Sequence, residues 1–179
     1  ANTKHLIEIQ GPQGIQLLPG GVFIGTDARF QIGAFSYQLK NEAQNSILEA
    51  YNQQTIWQYI DAFSNTPYLW GGRSIFGIDC SGFVQNVFRL LDYNLPRDAY
   101  QQAELGSVVS YEERQALDLA FFINAKGKIH HVGIVTENGD IIHASGQVRT
   151  DELLPSGIYN VAAEQQTHQL HEIRRIIHA

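Results

Sequence analysis

The order of the periodic segments is the feature that most constrains the fold of this chain. Apolar residues recur near helical spacing over about 45–63 and again directly after Cys80, and a short helix is indicated over 98–104. Four later segments have the patterns of strands: 117–123, 129–136, 140–145 and 170–177. Helices followed by an antiparallel sheet predict an α+β fold with segregated layers rather than a doubly wound sheet.

The start of the chain has a different character. Roughly the first forty residues are rich in glycine and alternate apolar with polar side chains, which predicts short strands joined by turns. At 179 residues the chain is long enough for one ordinary domain with a small appendage. Because it starts at Ala1 and contains no methionine, we expect it to be a processed or excised piece.

Charge and hydropathy exclude some classes of partner. The formal net charge is -6, whereas general nucleic-acid and anionic-membrane binders use net positive fields. No apolar run approaches the length that spans a membrane, and the first five residues lack the apolar stretch of a signal peptide. We therefore expect no nucleic-acid partner and no membrane span.

The only cysteine is Cys80, directly before an apolar run that predicts a helix. At a helix N-terminus the macrodipole and unpaired N–H groups lower the pKa of a thiol, which favours a thiolate nucleophile. A lone cysteine is, however, more often a buried structural residue. The functional interpretation therefore needs a nearby base.

Histidine is the side chain whose ordinary pKa suits that base. His130, His131 and His143 lie on the two strands that flank a turn. A two-residue Asn-Gly loop would place His143 on the face of His130. A three-residue loop over 137–139 would instead set His143 opposite Gly133, diagonal to His131 at roughly 7 Å. The residues leave both registers open, and Gly133 favours the second because it leaves room for a substrate or thiol.

The same histidines argue against a metal centre. Adjacent strand residues point to opposite faces, so His130 and His131 are not expected to bind one ion, and His130 should point away from the site. No other cysteine or histidine stands at ligand spacing. We expect no metal and no other cofactor.

Six segments resemble, in the same order, the NlpC family of bacterial cell-wall cysteine peptidases, which have a papain-like fold. The similarity extends over about 56–177. The matching segments are 67–73 (PYLWGGR), 79–85 (DCSGFVQ), 95–98 (LPRD), 118–122 (DLAFF), 131–134 (HVGI) and 142–145 (IHAS).

The resemblance implies a role for individual residues. Cys80 would be the nucleophile, His131 the general base, and His143 the third residue that orients His131. The Tyr68 hydroxyl would help to hold the oxyanion. This assignment requires the three-residue loop between the two histidine strands, and we adopt that register.

Within the family, the chain is most similar to the dipeptidyl-peptidase VI type, γ-D-glutamyl-diamino acid endopeptidases that act on murein peptides with a free N-terminal L-alanine. In that group the residue matching Asp98 receives the α-ammonium, and Ser81 and Trp70 would line the same subsite. A helix N-cap is the alternative role for Asp98. The family also implies a location in the cell envelope or outside the cell.

Two other functions remain compatible with the residues. Papain-like Cys-His sites also serve thiol-dependent amidases and acyltransferases, because a fold does not fix a function. A non-catalytic wall-binding module is the other alternative. The unbroken order of Cys80, His131 and His143 favours the peptidase.

The resemblance also divides the chain in two. We expect a partial SH3-like β segment over 1–44 and the papain-like catalytic domain over 45–179. The related enzymes carry SH3-like barrels that supply further contacts to the free amine, but residues 14–39 match only the latter part of such a barrel. Either the N-terminal part is missing or the remaining strands pack directly on the catalytic domain. Tyr37 is the candidate for the missing contact.

Overall fold

The computed structural model describes residues 6–12, 14–19, 29–32, 34–39 and 53–177. In it, the first strands form a small sheet, the helices come next, and the main sheet follows. This order confirms the predicted α+β class.

The small sheet is antiparallel throughout. Its strands pair in the order β2-β1-β4-β3. The predicted short strands are thus confirmed for these residues, whereas the SH3-like arrangement and the boundary after residue 44 stay predictions. Tyr37 lies in β4, and its side chain is outside the described part. The bounds are β1 Leu6–Gly11, β2 Gly14–Pro19, β3 Arg29–Ile32 and β4 Phe35–Leu39.

The middle of the described chain carries the helices and one two-stranded hairpin. The three predicted helices are present, although residues 45–52 of the first lie outside the described ranges. The central helix is almost wholly buried and begins at Cys80, as predicted. The bounds are α1 Gln53–Asp61, β5 Arg73–Ser74, β6 Gly77–Ile78, α2 Cys80–Leu90 and α3 Ala99–Gln102.

The main sheet curls into a barrel. Its strands pair in the order β12-β11-β10-β9-β8-β13-β7, and β12 also pairs with β13. This additional pairing closes the ring from β8 to β13 and leaves β7 attached outside. The bounds are β7 Ser107–Val109, β8 Leu119–Ile123, β9 Ile129–Val135, β10 Ile141–Ser145, β11 Gln147–Leu154, β12 Gly157–Asn160 and β13 Gln165–Arg175.

Strand alternation gives the barrel two apolar faces. One face packs with the helices, and α2 lies against β9 and β10. The other face forms a separate buried cluster. The helix-side residues include Leu119, Phe121, Val132, Ile134 and Ala144. The second cluster contains Ala120, Phe122, Val135, Ile141, Leu153, Ile158 and Ile173.

The sequence predicted four of these seven strands. It missed β7, β11 and β12, and it placed the start of β13 at residue 170 rather than Gln165. In β11 the pattern is obscured because one of its inward positions is a carboxylate, Asp151, which is 8% exposed. A strand whose buried face is partly charged lacks the apolar alternation that a prediction needs.

Substitution of Phe83 tests how much the packing of α2 against its neighbours contributes to stability. Its side chain is fully buried and meets the Phe63 ring edge-on at 5.8 Å. Phe83→Ala should lower the free energy of unfolding by about 3–5 kcal/mol, because it leaves a cavity. Phe76→Ala, at a side chain that is 63% exposed, is the control. Equal urea midpoints for the two variants would contradict this assignment of the core.

Candidate active site

Most of the predicted site residues line one cavity of about 750 Å³. Its wall includes six of the seven side chains singled out from the sequence. The seventh, His143, is fully buried behind His131. The six are Tyr68, Trp70, Cys80, Ser81, Asp98 and His131.

The nucleophile candidate is held by the carboxylate that precedes it. Asp79 is the N-cap of α2, and its Oδ1 accepts a hydrogen bond from the Gly82 backbone N–H at 2.7 Å. Its Oδ2 accepts from the Gly71 N–H at 2.9 Å, which ties down the glycine-rich loop. Arg97 makes a two-pronged ion pair with the same carboxylate and also donates to the Ser81 hydroxyl at 2.9 Å. One carboxylate therefore joins three segments around Cys80.

The turn between the two histidine strands has the three-residue register. Gly139 has a φ of +84°, and the Thr136 N–H donates to the Asp140 carbonyl at 2.9 Å. Ile141 consequently lies opposite Val135. The register required by the family resemblance is confirmed, because Asn-Gly here completes a three-residue loop rather than a two-residue one.

This register brings the two histidines into direct contact. His131 Nε2 lies 2.8 Å from His143 Nδ1, and both residues are buried. Gly133 has a different role from the predicted one. A Cβ at this position would lie 2.7 Å from Ile141 Cγ1 and 2.9 Å from His143 Cβ. The missing side chain therefore makes room for the neighbouring strand, and not for a substrate.

Three residues at the site were missed by sequence reasoning. His143 Nε2 lies 3.0 Å from Asp151 Oδ2, and Arg149 Nε donates to the same oxygen at 2.7 Å. His168 stacks on His131 with ring centroids 4.3 Å apart. None of them carries a local signal, because each reaches the site through strand pairing on β11 or β13 rather than through spacing in the sequence.

His130 differs from its prediction. Ile129 pairs with Ile123 and His131 with Phe122, so His130 is the extra residue of a β-bulge. Its ring lies 6.3 Å from that of His131 and lines the same cavity. The expectation that it points away is wrong, because a bulge interrupts strand alternation and re-aims a side chain.

The model of the NlpC/P60 family matches residues 65–170, which is more than half of the chain. The chain belongs to the NlpC/P60 family.

Curated relatives of this NlpC/P60 protein include bacterial proteins named as peptidases. It is 44% identical over 94 residues to a γ-D-glutamyl-L-lysine dipeptidyl-peptidase of Bacillus subtilis strain 168, covering 51% of this chain and 32% of that protein. It is 41% identical over 88 residues to the probable endopeptidase NlpC of Escherichia coli K12, covering 48% and 57%. The chain thus spans less than two thirds of each of these relatives.

Solved structures support the fold. A crystal structure of an NlpC/P60 family protein from Bacillus cereus matches 97% of this chain and 61% of its own, with a TM-score of 0.66 and 25% identity. A lipoprotein-like protein of the same family from Staphylococcus aureus matches 76% of this chain and 46% of its own, with a TM-score of 0.58 and 30% identity.

Burial sets the protonation state of the histidines at this site. It lowers the pKa of His131 well below 6.5, and the neighbouring His143, His168, His130 and Arg149 act in the same direction. Burial also lowers the pKa of His143, although the hydrogen bond to Asp151 opposes it. His168 falls to a pKa of about 4, chiefly through burial. His131 and His143 are therefore neutral near pH 7, and a neutral His131 can accept a proton.

The thiol is also neutral at rest. Burial raises the pKa of Cys80, backbone N–H groups of Val132 and Ser81 lower it, and the Asp79 carboxylate raises it again, with a net increase. The N–H groups at the start of the helix do lower the pKa of Cys80 as predicted, but burial, with Cys80 only 6% exposed, outweighs them, so the predicted net lowering is wrong. The site thus pairs a neutral thiol with a neutral imidazole, which suits proton transfer during attack rather than a preformed ion pair.

The remaining predicted residues differ in exposure. Burial, followed by the charges of Cys80 and Asp79, raises the pKa of Tyr68, so its hydroxyl keeps its proton and can donate. Trp70 is 86% exposed on the cavity wall. Asp98 is the exposed N-cap residue of α3, and Gln101 Oε1 accepts from its backbone N–H at 3.3 Å.

The residues that the structure describes hold no group of three or more His, Cys, Asp or Glu side chains placed for a metal ion. None of their helices has the length and apolar character needed to cross a membrane.

The pH dependence of alkylation tests the state of Cys80. Since its pKa is raised, the rate of reaction with iodoacetamide should still be climbing above pH 8.5, the ordinary pKa of a thiol, because only the thiolate reacts. Mass spectrometry can follow the label without ambiguity, since the chain has one cysteine. Cys80→Ala is the unlabelled control. A rate that reaches its plateau below pH 7 would instead show a thiolate stabilised by an imidazolium.

Proposed function

We propose that this chain is a cysteine endopeptidase that hydrolyses bacterial cell-wall peptides after γ-D-glutamate. The observation that carries the proposal is the 2.8 Å contact between His131 and His143, with His131 and Cys80 on the wall of one cavity. The names of the relatives, which include a γ-D-glutamyl-L-lysine dipeptidyl-peptidase and a probable endopeptidase, support the substrate class.

The residues supply the parts of an acyl-enzyme mechanism. Cys80 Sγ attacks the scissile carbonyl carbon while His131 takes the thiol proton. His131 then gives that proton to the leaving amine, and the acyl group stays on sulfur as a thioester. Water, deprotonated by His131, attacks the thioester, and the proton returns to Cys80. His143 holds the ring of His131 throughout.

Donors are available for the oxyanion. Negative charge that develops on the carbonyl oxygen is stabilised by backbone N–H groups at the start of α2 and by the Tyr68 hydroxyl. Loss of one such donor typically costs on the order of 3 kcal/mol of transition-state stabilisation. Tyr68 is suited to this role since its raised pKa keeps it a donor.

Specificity for a free N-terminal L-alanine is the finer part of the proposal. Asp98, Ser81 and Trp70 line the same cavity as Cys80, and the Asp98 carboxylate can accept a charge-assisted hydrogen bond from an α-ammonium. Relatives of similar identity include the murein DD-endopeptidase MepS of E. coli. Overall similarity therefore does not indicate a preference for a free amine, and this part of the proposal rests on Asp98.

We further propose that 45–179 is the catalytic domain and 1–44 a partial SH3-like unit. Support comes from the family match, which covers 65–170, and from β1 to β4, which pair among themselves. The substrate class supports a location in the cell envelope or outside the cell.

Cleavage of L-Ala-γ-D-Glu-diamino acid tripeptide tests the reaction. Mass spectrometry should detect the dipeptide L-Ala-γ-D-Glu with the wild-type chain and not with Cys80→Ala. If the peptide stays intact with the wild-type chain, the peptidase proposal fails. Addition of an amine distinguishes the peptidase from the amidase or acyltransferase alternative. An enzyme of the alternative kind would form the aminolysis product in preference to the free acid.

The same assay tests amine recognition. Asp98→Asn should lower kcat/KM on the free-amine peptide about 10- to 100-fold, as expected when a hydrogen bond to a charged group is lost. Turnover of the N-acetylated peptide, slow from the outset, should stay unchanged. Glu104→Gln removes an exposed carboxylate just beyond α3 and is the control. Equal cleavage of both peptides by the wild-type chain would refute the role of Asp98.

A further inference from the structure

We propose that Asp151, fixed by Arg149, is a positioning residue that sets the tautomers of both histidines and makes Nδ1 of His131 the basic nitrogen. The inference deepens the proposed function and rests on Cys80 and His131 forming its centre. It extends the predicted triad by a buried carboxylate that the sequence did not reveal.

The contacts form one continuous chain. His131 Nε2 meets His143 Nδ1 at 2.8 Å, and His143 Nε2 meets Asp151 Oδ2 at 3.0 Å. Arg149 Nε donates to that same oxygen at 2.7 Å. His131 is 4% exposed, His143 0% and Asp151 8%, so bulk water competes little with these contacts.

The direction of each hydrogen bond follows from the carboxylate. Asp151 is ionised and can only accept, so Nε2 of the neutral His143 must carry the hydrogen. Nδ1 of His143 is then an acceptor, and His131 Nε2 must donate to it. A neutral imidazole has one N–H, so His131 keeps Nδ1 unprotonated. That nitrogen is the one left to take the thiol proton.

The ionisation of Asp151 is supported by its surroundings. Burial acts to raise its pKa, but hydrogen bonds from His143 and Arg149 outweigh this and hold the pKa below its ordinary value. Arg149 also keeps the carboxylate from rotating, because it binds the oxygen that faces His143.

The Asp151 carboxylate compensates for a limitation of His143 as the third residue of the triad. A neutral imidazole stabilises the imidazolium that forms on His131 less than a carboxylate does. Asp151 places a negative charge one hydrogen bond further along the same chain, so His143 transmits the influence of a carboxylate. Without Asp151, His143 could flip its proton to Nδ1, and His131 would then present N–H to the thiol.

The first measurement needs no substrate. In ¹⁵N-labelled wild-type protein near pH 7, long-range ¹H–¹⁵N correlations distinguish protonated from unprotonated ring nitrogens. We expect His143 protonated at Nε2 and His131 protonated at Nε2. Protonation of His143 at Nδ1 would overturn the proposal outright, whether or not the chain proves to be a peptidase.

Variants test the consequence for turnover. Asp151→Leu removes the acceptor, whereas Asp151→Asn keeps an oxygen acceptor and removes the charge. We expect kcat to fall on the order of 10- to 100-fold for Leu and less for Asn, as when outer residues that orient a histidine are lost, with KM little changed. Glu152→Gln removes the adjacent exposed carboxylate and should leave kcat unchanged.

The two proposals fail in different ways. Absence of cleavage by the wild-type chain rejects the peptidase and leaves the tautomers to be measured. Wild-type activity with kcat unchanged in folded Asp151→Leu and Asp151→Asn rejects the positioning role. If Asp151→Leu does not fold, Asp151→Asn and the wild-type spectra decide. A purely structural role would lower the melting temperature without changing kcat in the folded fraction.

Discussion

The geometry of the site depends on the hydrogen bonds and the ion pair that the buried Asp79 carboxylate makes. It caps α2, receives the glycine-rich loop at Gly71, and binds Arg97 from the segment before α3. A buried carboxylate with several donors is stable, whereas one left unpaired is costly. These three segments therefore hold their relative positions, and Cys80, the start of α2 and the Asp98 region are fixed together.

The barrel supplies the other half of the chemistry. His131, His143 and Asp151 lie on the adjacent strands β9, β10 and β11, and strand pairing sets their spacing. The two halves meet where α2 packs on β9 and β10. Cys80 thus stands at the start of a helix and His131 on a sheet. Asp79 caps that helix, and Asp151 binds His143, which contacts His131.

Local signals account for what the sequence predicted. The helix after Cys80 follows from its apolar spacing, and the register between His131 and His143 follows from the turn once the family resemblance selects it. What escaped prediction depends on pairing between distant strands or on burial. Asp151 lies on a strand whose buried face is partly charged, His168 arrives from the last strand, and the raised pKa of Cys80 reflects burial rather than position at the helix start.

Closure of the barrel has a consequence for how the site comes into being. The ring closes only when β12 pairs with β13, and β13 also delivers His168 against His131. Cys80, His131 and His143 have all been synthesised before that strand emerges. Contacts between distant segments form late because loop closure precedes them. A chain synthesised only as far as β12 therefore carries Cys80, His131 and His143 without the strand that closes the barrel around them, and we expect the enclosed site to form only once β13 has paired.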